Sequence, residues 1–213
     1  ETQQPKLIFI AYPNNPTGNT FDRESIEKII TASDALVVLD EAYYAYANDS
    51  FLADIQKYPN LVLLRTVSKI GFAGLRLGLL IGAQDTVAQL DKLRLPYNIN
   101  TLTQVSANFL LQEKDTIDAN AKIILAQRDK LASALSEING LQVYPSQANF
   151  ILFKAPKANE LFETLKQQGV LIKNLSGAPR LTDCLRVTVG SGEQNQQFIN
   201  IVHNFYITYK PGL

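Results

Sequence analysis

Methionine is absent from the 213 residues, and cysteine and histidine each occur once, as Cys184 and His203. A lone cysteine excludes an internal disulfide framework and suits a reducing compartment, so a cytoplasmic location is expected. Acidic and basic residues number 20 each, so no bulk field draws the chain to nucleic acid or to an anionic membrane. No apolar run approaches a membrane span, no basic-then-apolar order marks a signal peptide, and no repeat or low-complexity stretch is seen. With no initiator methionine, and with a polar lead that runs straight into a strand pattern ("ETQQPKLIFIAY"), the expectation is a chain that begins inside a longer protein. What remains is 46% hydrophobic, ample for one domain or for a large and a small one.

"KLIFIAY" is a short apolar run stopped by the breakers "PNNPTGN", which reads as a buried strand and a loop. Helical spacing follows over Asp22 to Ile30. "ALVVLDEAY", "LVLLRTVS" and "LGLLIGA" read as three further strands. Strands alternating with helical patterns predict a mostly parallel sheet covered on both faces. The loop before the fourth strand is too short for a crossover helix, which makes that strand the antiparallel member. Thr103 to Glu113 and about Thr116 to Ile138 are predicted helical, with a break at "QEKDTID". Then come "FILF" (strand), "ANELFETLKQQG" (helix), "VLIKNLS" and "CLRVTVGS" (strands) and "EQNQQFINIVHNFYITYK" (helix), a small α+β unit. The expected division is 1–115 and 116–213.

Ligands of open α/β sheets sit beyond the carboxyl ends of the strands. Three such ends carry polar clusters: "NNPTG", "DEAYY" and "SKIGFAGLR". Singly, each has a bland explanation as a good turn, a surface carboxylate pair or a snorkelling lysine. Three in order at neighbouring strand ends form a much rarer coincidence.

The segments "YPNNPTGNTF", "VVLDEAYYAYA", "RTVSKIGFAGLRLG", "KLRLPYNINTLTQ", "ANFILF" and "CLRVTVGSGEQN" resemble the fold-type I pyridoxal-phosphate enzymes of the aspartate aminotransferase superfamily. Within it they are most similar to the histidinol-phosphate aminotransferases. The resemblance implies an α/β fold: the mostly parallel sheet of part of the family's large domain, plus a small α+β C-terminal domain. It does not reach the family's N-terminal portion, which supplies an arm, part of the phosphate loop, the aromatic that stacks on the cofactor ring and a residue crossing a homodimer.

The resemblance makes Lys69 the Schiff-base lysine and the acid/base of the reaction. Such a lysine must reach its neutral amine near neutral pH, from a reference pKa of about 10.4. Partial burial after an apolar strand, with Arg65 and Arg76 nearby, is expected to lower it. By the same resemblance Asp40 keeps the pyridine nitrogen of pyridoxal 5'-phosphate protonated. Asn15 and Tyr43 donate to its phenolic oxygen, and Thr66, Ser68 and Arg76 cradle its phosphate. Glu41 is read as structural.

Arg186, between apolar strand neighbours, is costly without a partner. It corresponds to the superfamily arginine that grips the substrate's anionic end. Lys173 stands where the family usually has a second arginine, and it keeps the charge but loses the bidentate fork. The implied reaction moves an amino group between L-histidinol phosphate and 2-oxoglutarate, giving L-glutamate, in histidine biosynthesis. A threonine-phosphate decarboxylase, another class I/II aminotransferase, a silent ligand-sensing module or an inactive fragment remain alternatives. Asn98, Asn100 and Thr103 are read as helix caps, Asn149 as a loop residue and Arg180 as a surface cation. Cys184 is read as a small buried side chain and His203 as non-catalytic, and no metal ligand is assigned. The resemblance also implies the sheet order "LGLLIG", "LVLLRTV", "ALVVLD", "KLIFIA", leaving Leu7 to Ile10 as an apolar edge inclined to self-association.

Overall fold

The computed structural model describes residues 4–208. The polar lead Glu1 to Gln3, and Tyr209 and Lys210 of the last expected helix, lie outside the described residues. The chain forms two units, one of Glu1–Asn15 with Asn19–Ala121, the other of Pro16–Gly18 with Lys122–Leu213.

The first unit holds a four-stranded sheet of β1 (Leu7–Ala11), β2 (Leu36–Asp40), β3 (Leu61–Thr66) and β4 (Gly78–Gly82), in that order. β1–β2 and β2–β3 are parallel and β3–β4 is antiparallel, as the sequence predicts. Alternation along each strand splits the sheet into two faces. Ile8, Ile10, Val37, Leu39, Leu61, Leu63 and Ile81 share one face, packed with Ile26 and Ile30 of α1 (Arg23–Ala32) and with Tyr12, Phe51 and Tyr58. Ile26 and Ile30 lie one helical turn apart, and Asp22 caps the helix by accepting from the Ser25 amide at 2.9 Å. The opposite face is less closed than expected. Val38 and Val62 are buried there, but Phe9 of the edge strand β1 is 65% exposed and Leu80 is 39% exposed.

α2 (Gln84–Asp91), not foreseen from the sequence, follows β4. α3 (Thr101–Gln112) and α4 (Lys114–Ser136) are separated by Glu113 alone, a sharper break than "QEKDTID" suggests. The expected division at 115/116 falls at the head of α4, whereas the two units part inside it, between Ala121 and Lys122.

The second unit carries a four-stranded sheet ordered β5 (Gln142–Val143), β6 (Phe150–Lys154), β8 (Cys184–Thr188), β7 (Lys173–Asn174), antiparallel throughout. Ile151, Phe153, Leu185 and Val187 pack against Leu131 and Leu135 of α4, Leu161 and Leu165 of α5 (Ala158–Gln167), and Phe198 and Val202 of α6 (Gly192–Thr208). α5 ends in a Schellman motif: Gly169 takes φ +80°, its amide donates to Lys166 and that of Val170 to Leu165. "VLIKNLS" is strand only at Lys173–Asn174.

Candidate active site

β2 and β3 run parallel, so their carboxyl ends lie side by side, with Asp40 and Leu64 in register. Asp40 and Thr66 fall on one face of the sheet by alternation, while Glu41 and Arg65 fall on the other. The two strand ends are tied on both sides.

On the Glu41 side the tie is an ion pair. Glu41 is 1% exposed. Its carboxylate accepts from Arg65 Nη2 at 2.8 Å and Nε at 3.0 Å, from Ser50 Oγ, and from the Phe51 amide at 2.7 Å. The Arg65 guanidinium lies over the Tyr44 ring, 4.2 Å from its centroid. Every charge here is matched, the condition under which burial is tolerated.

On the other side lie the predicted site residues. Asp40 is exposed, and its Oδ1 accepts from the Ala42 amide at 3.0 Å, which fixes the turn after β2. Its carbonyl accepts from the Tyr12 amide at 2.9 Å, anchoring the loop that carries Asn15. Tyr43 is buried, and the Lys69 ammonium stands 5.4 Å from its ring centroid. Lys69 sits on a 3-10 turn, Ser68–Ile70, closed by Gly71 at φ +108°. The Thr66 hydroxyl donates to the Leu77 carbonyl at 3.1 Å and accepts from the Ser68 amide at 3.0 Å. Its proton is thereby committed to shaping the loop. Arg76 adopts φ +51°, uncommon for a side-chain-bearing residue. Its Nη1 donates to the Ala73 carbonyl at 3.0 Å.

Two expectations about Lys69 are corrected. Lys69 is exposed, not part-buried, because β3 ends at Thr66 and the turn carries the lysine beyond the sheet. Arg65 does not act on it as a nearby cation, because its guanidinium faces the opposite side and is held by Glu41. Arg76 remains on the same loop. Asp40, Tyr43, Thr66, Ser68 and Lys69 are thus gathered at the ends of β2 and β3, and Asn15 follows the neighbouring β1.

Of the other polar residues, Asn100 caps α3, accepting from the Thr103 amide at 2.9 Å. Thr103 instead donates its hydroxyl to Leu75, and Asn98 accepts from Arg94. Tyr12 donates its hydroxyl to Asp49 at 2.8 Å. Burial first, then that bond and the Asp49 charge, push the phenol well above the usual tyrosine range. Sequence reasoning missed Ser50 and Tyr46. The only available signal for Tyr46 was its place six residues after Asp40 in a run of three tyrosines.

In the second unit Lys173 and Arg186 are direct partners across β7 and β8. Arg186 lies over the Phe150 ring at 4.8 Å. Cys184 is buried, and burial raises its thiol. His203 is exposed on α6, beside Glu137 and Tyr206 in a groove apart from these residues. Among the described residues no cluster of His, Cys, Asp and Glu could hold a metal, and no helix is long and apolar enough to cross a membrane.

The family pattern for aminotransferase class I and II matches residues 1–202. A histidinol-phosphate aminotransferase of Vesicomyosocius okutanii is 74% identical over 207 residues, covering 97% of this chain and 58% of that protein. The chain therefore spans less than two thirds of this relative's length. The structure of a histidinol-phosphate aminotransferase from Clostridium acetobutylicum superposes with TM-score 0.89 at 22% identity, over 96% of this chain and 65% of that one. One from Sinorhizobium meliloti in complex with pyridoxal-5'-phosphate gives 0.85 at 25%, over 95% and 58%. Strand order, loop and family pattern agree: the chain belongs to the class I and II aminotransferases.

Proposed function

We propose that this chain carries the lysine-bearing part of a histidinol-phosphate aminotransferase, moving an amino group between L-histidinol phosphate and 2-oxoglutarate with pyridoxal phosphate. The observation that carries the reading is the meeting of Lys69 with Tyr43 at the joined ends of β2 and β3, beside Asp40. The kinship above supports histidinol phosphate as the substrate.

The donor set fits the cofactor. It offers an amine, a carboxylate facing the same side, and a loop bearing the Ser68 hydroxyl and the Arg76 guanidinium. Pyridoxal phosphate, when bound, supplies an aldehyde for amines and a ring that accepts the electron pair of a carbanion. Lys69 would hold the cofactor by its aldehyde, and its amine would serve as the acid/base that takes and returns a proton. Asp40 would hold a proton at the ring nitrogen, and Asn15 and Tyr43 would donate to the phenolic oxygen. Thr66, Ser68 and Arg76 would hold the phosphate, the Thr66 hydroxyl also keeping the loop in shape. Arg186 and Lys173 take the substrate's anionic group. Two cations directly opposite across strands repel unless an anion lies with them.

The small-molecule partners are histidinol phosphate and the glutamate/2-oxoglutarate pair, and the protein partner is a second copy. Leu102, Val105 and Phe109 of α3, spaced three and four residues apart, are 80%, 63% and 63% exposed. An apolar stripe of this kind supports a homodimer contact. The proposed division of labour is a cofactor-binding part, 1–115, and a small C-terminal part, 116–213, in the cytoplasm.

The test is an absorbance titration with pyridoxal phosphate, followed by turnover of histidinol phosphate and threonine phosphate. A visible band lost in Lys69→Ala, with preference for histidinol phosphate, is expected. A band that survives Lys69→Ala refutes the lysine assignment. Preference for threonine phosphate supports the decarboxylase, and no band with no turnover supports a silent module or fragment.

A further inference from the structure

Tyr46 is 2% exposed and lies on the 3-10 turn that follows Tyr43. A buried tyrosine hydroxyl requires a partner. This one donates across to the other strand end, to the main-chain carbonyl of Lys69, at 2.7 Å. We infer that Tyr46 is a positioning residue for Lys69, an inference that rests on the reading of Lys69 just given.

The argument is one of restraint. Lys69 is exposed, and its four-carbon stem is flexible. The region its amine can sweep is therefore set by where its backbone is held. That backbone belongs to a single 3-10 turn, an element with poor intrinsic hydrogen-bond geometry. Two bonds that tie the turn to Val67 are long: Ile70 amide to Val67 carbonyl at 3.3 Å and Phe72 amide to Val67 carbonyl at 3.2 Å. Gly71 at φ +108° adds freedom rather than stiffness, with nothing within 4 Å of the position a Cβ would take. The Tyr46 bond is shorter than either, and it fastens the turn to a buried ring. That ring sits three residues beyond Tyr43, which the Lys69 ammonium faces. Tyr43 and Tyr46 thus hold the two ends of one lysine, head and carbonyl.

Tyr46→Phe keeps the buried ring and deletes only the hydroxyl. Amide hydrogen exchange of the peptide 67–72 should quicken about five-fold, the factor one neutral hydrogen bond is worth. β2 and the body of β3 should stay unchanged. Tyr44→Phe, whose ring lies under Arg65, is the control and should leave 67–72 as it was. In parallel, limiting pyridoxal phosphate trapped with borohydride and mapped by peptide mass should favour Lys69 in the wild type. The share of label at Lys69 should fall in Tyr46→Phe. Unchanged exchange at 67–72, uniformly faster exchange throughout the chain, or an unaltered share of label at Lys69 overturns the proposal. No preference for Lys69 in the wild type refutes the assignment of Lys69 itself and removes the proposal with it.

Discussion

Lys173 and Arg186 face each other across β7 and β8, residue against residue in the antiparallel register. If both grip one anion, their loss should not be symmetrical. Arg186→Ala should raise KM for histidinol phosphate and glutamate alike, by about ten- to a hundredfold, the range of one charged hydrogen bond. Lys173→Ala should burden the phosphorylated substrate more. Steady-state kinetics of the active enzyme decides, and equal effects of both variants on both substrates would refute the split.

Asp40→Ala should leave trapping at Lys69 intact and slow turnover by about a hundred- to a thousandfold, as for other preorganised electrostatic groups. Single-turnover rates, read beside the labelling, separate the two effects. Near-normal turnover would sink the assignment.

Glu41 and Arg65 should behave as a unit. Glu41→Ala should cost about 3–5 kcal/mol, the penalty of leaving a buried charge alone. Glu41→Ala combined with Arg65→Met should cost less than the sum of the two single changes. Urea unfolding of the four proteins of this cycle measures it, and strict additivity would mean the pair is not coupled.

Tyr12 ties folding to alkaline pH. Its phenol is raised in the folded chain and titrates near 10 when unfolded. Its contribution is therefore complete below about pH 10 and is lost as pH climbs toward the folded value. Tyr12→Phe should flatten the fall in stability above pH 10, read from melting temperatures between pH 8 and 11. An unchanged slope would show that other groups govern that limb.

Phe109→Asp should weaken self-association without unfolding the chain, since the ring is exposed. Sedimentation equilibrium of the wild type and variant checks it. Equal association would move the contact away from α3.

The sheet order comes from the resemblance, and the short loop before β4 is enough to mark that strand as the antiparallel one; both agree with the structure. Asp40, Tyr43 and Lys69 are singled out by the resemblance of those strand-end segments to the aminotransferases, and the structure brings the three to the ends of β2 and β3. What escaped was orientation. Four residues of spacing put Arg65 beside Lys69 on paper, but alternation along β3 turns Arg65 and Thr66 to opposite faces. The exposure of Lys69 escaped too, since the sequence gives no sign of where β3 stops and the turn begins. α2 was missed because its first turn has no capping side chain, with Ala83 at the N-cap. β7 shrank because only Lys173 and Asn174 of "VLIKNLS" meet β8 in register.

The Glu41–Arg65 pair also bears on how this sequence can drift. A change at either position alone strands a charge in the interior, whereas a joint replacement by two apolar residues of similar volume does not. The two positions are therefore expected to change together. Ser50, which touches both side chains, is the third position drawn into that constraint.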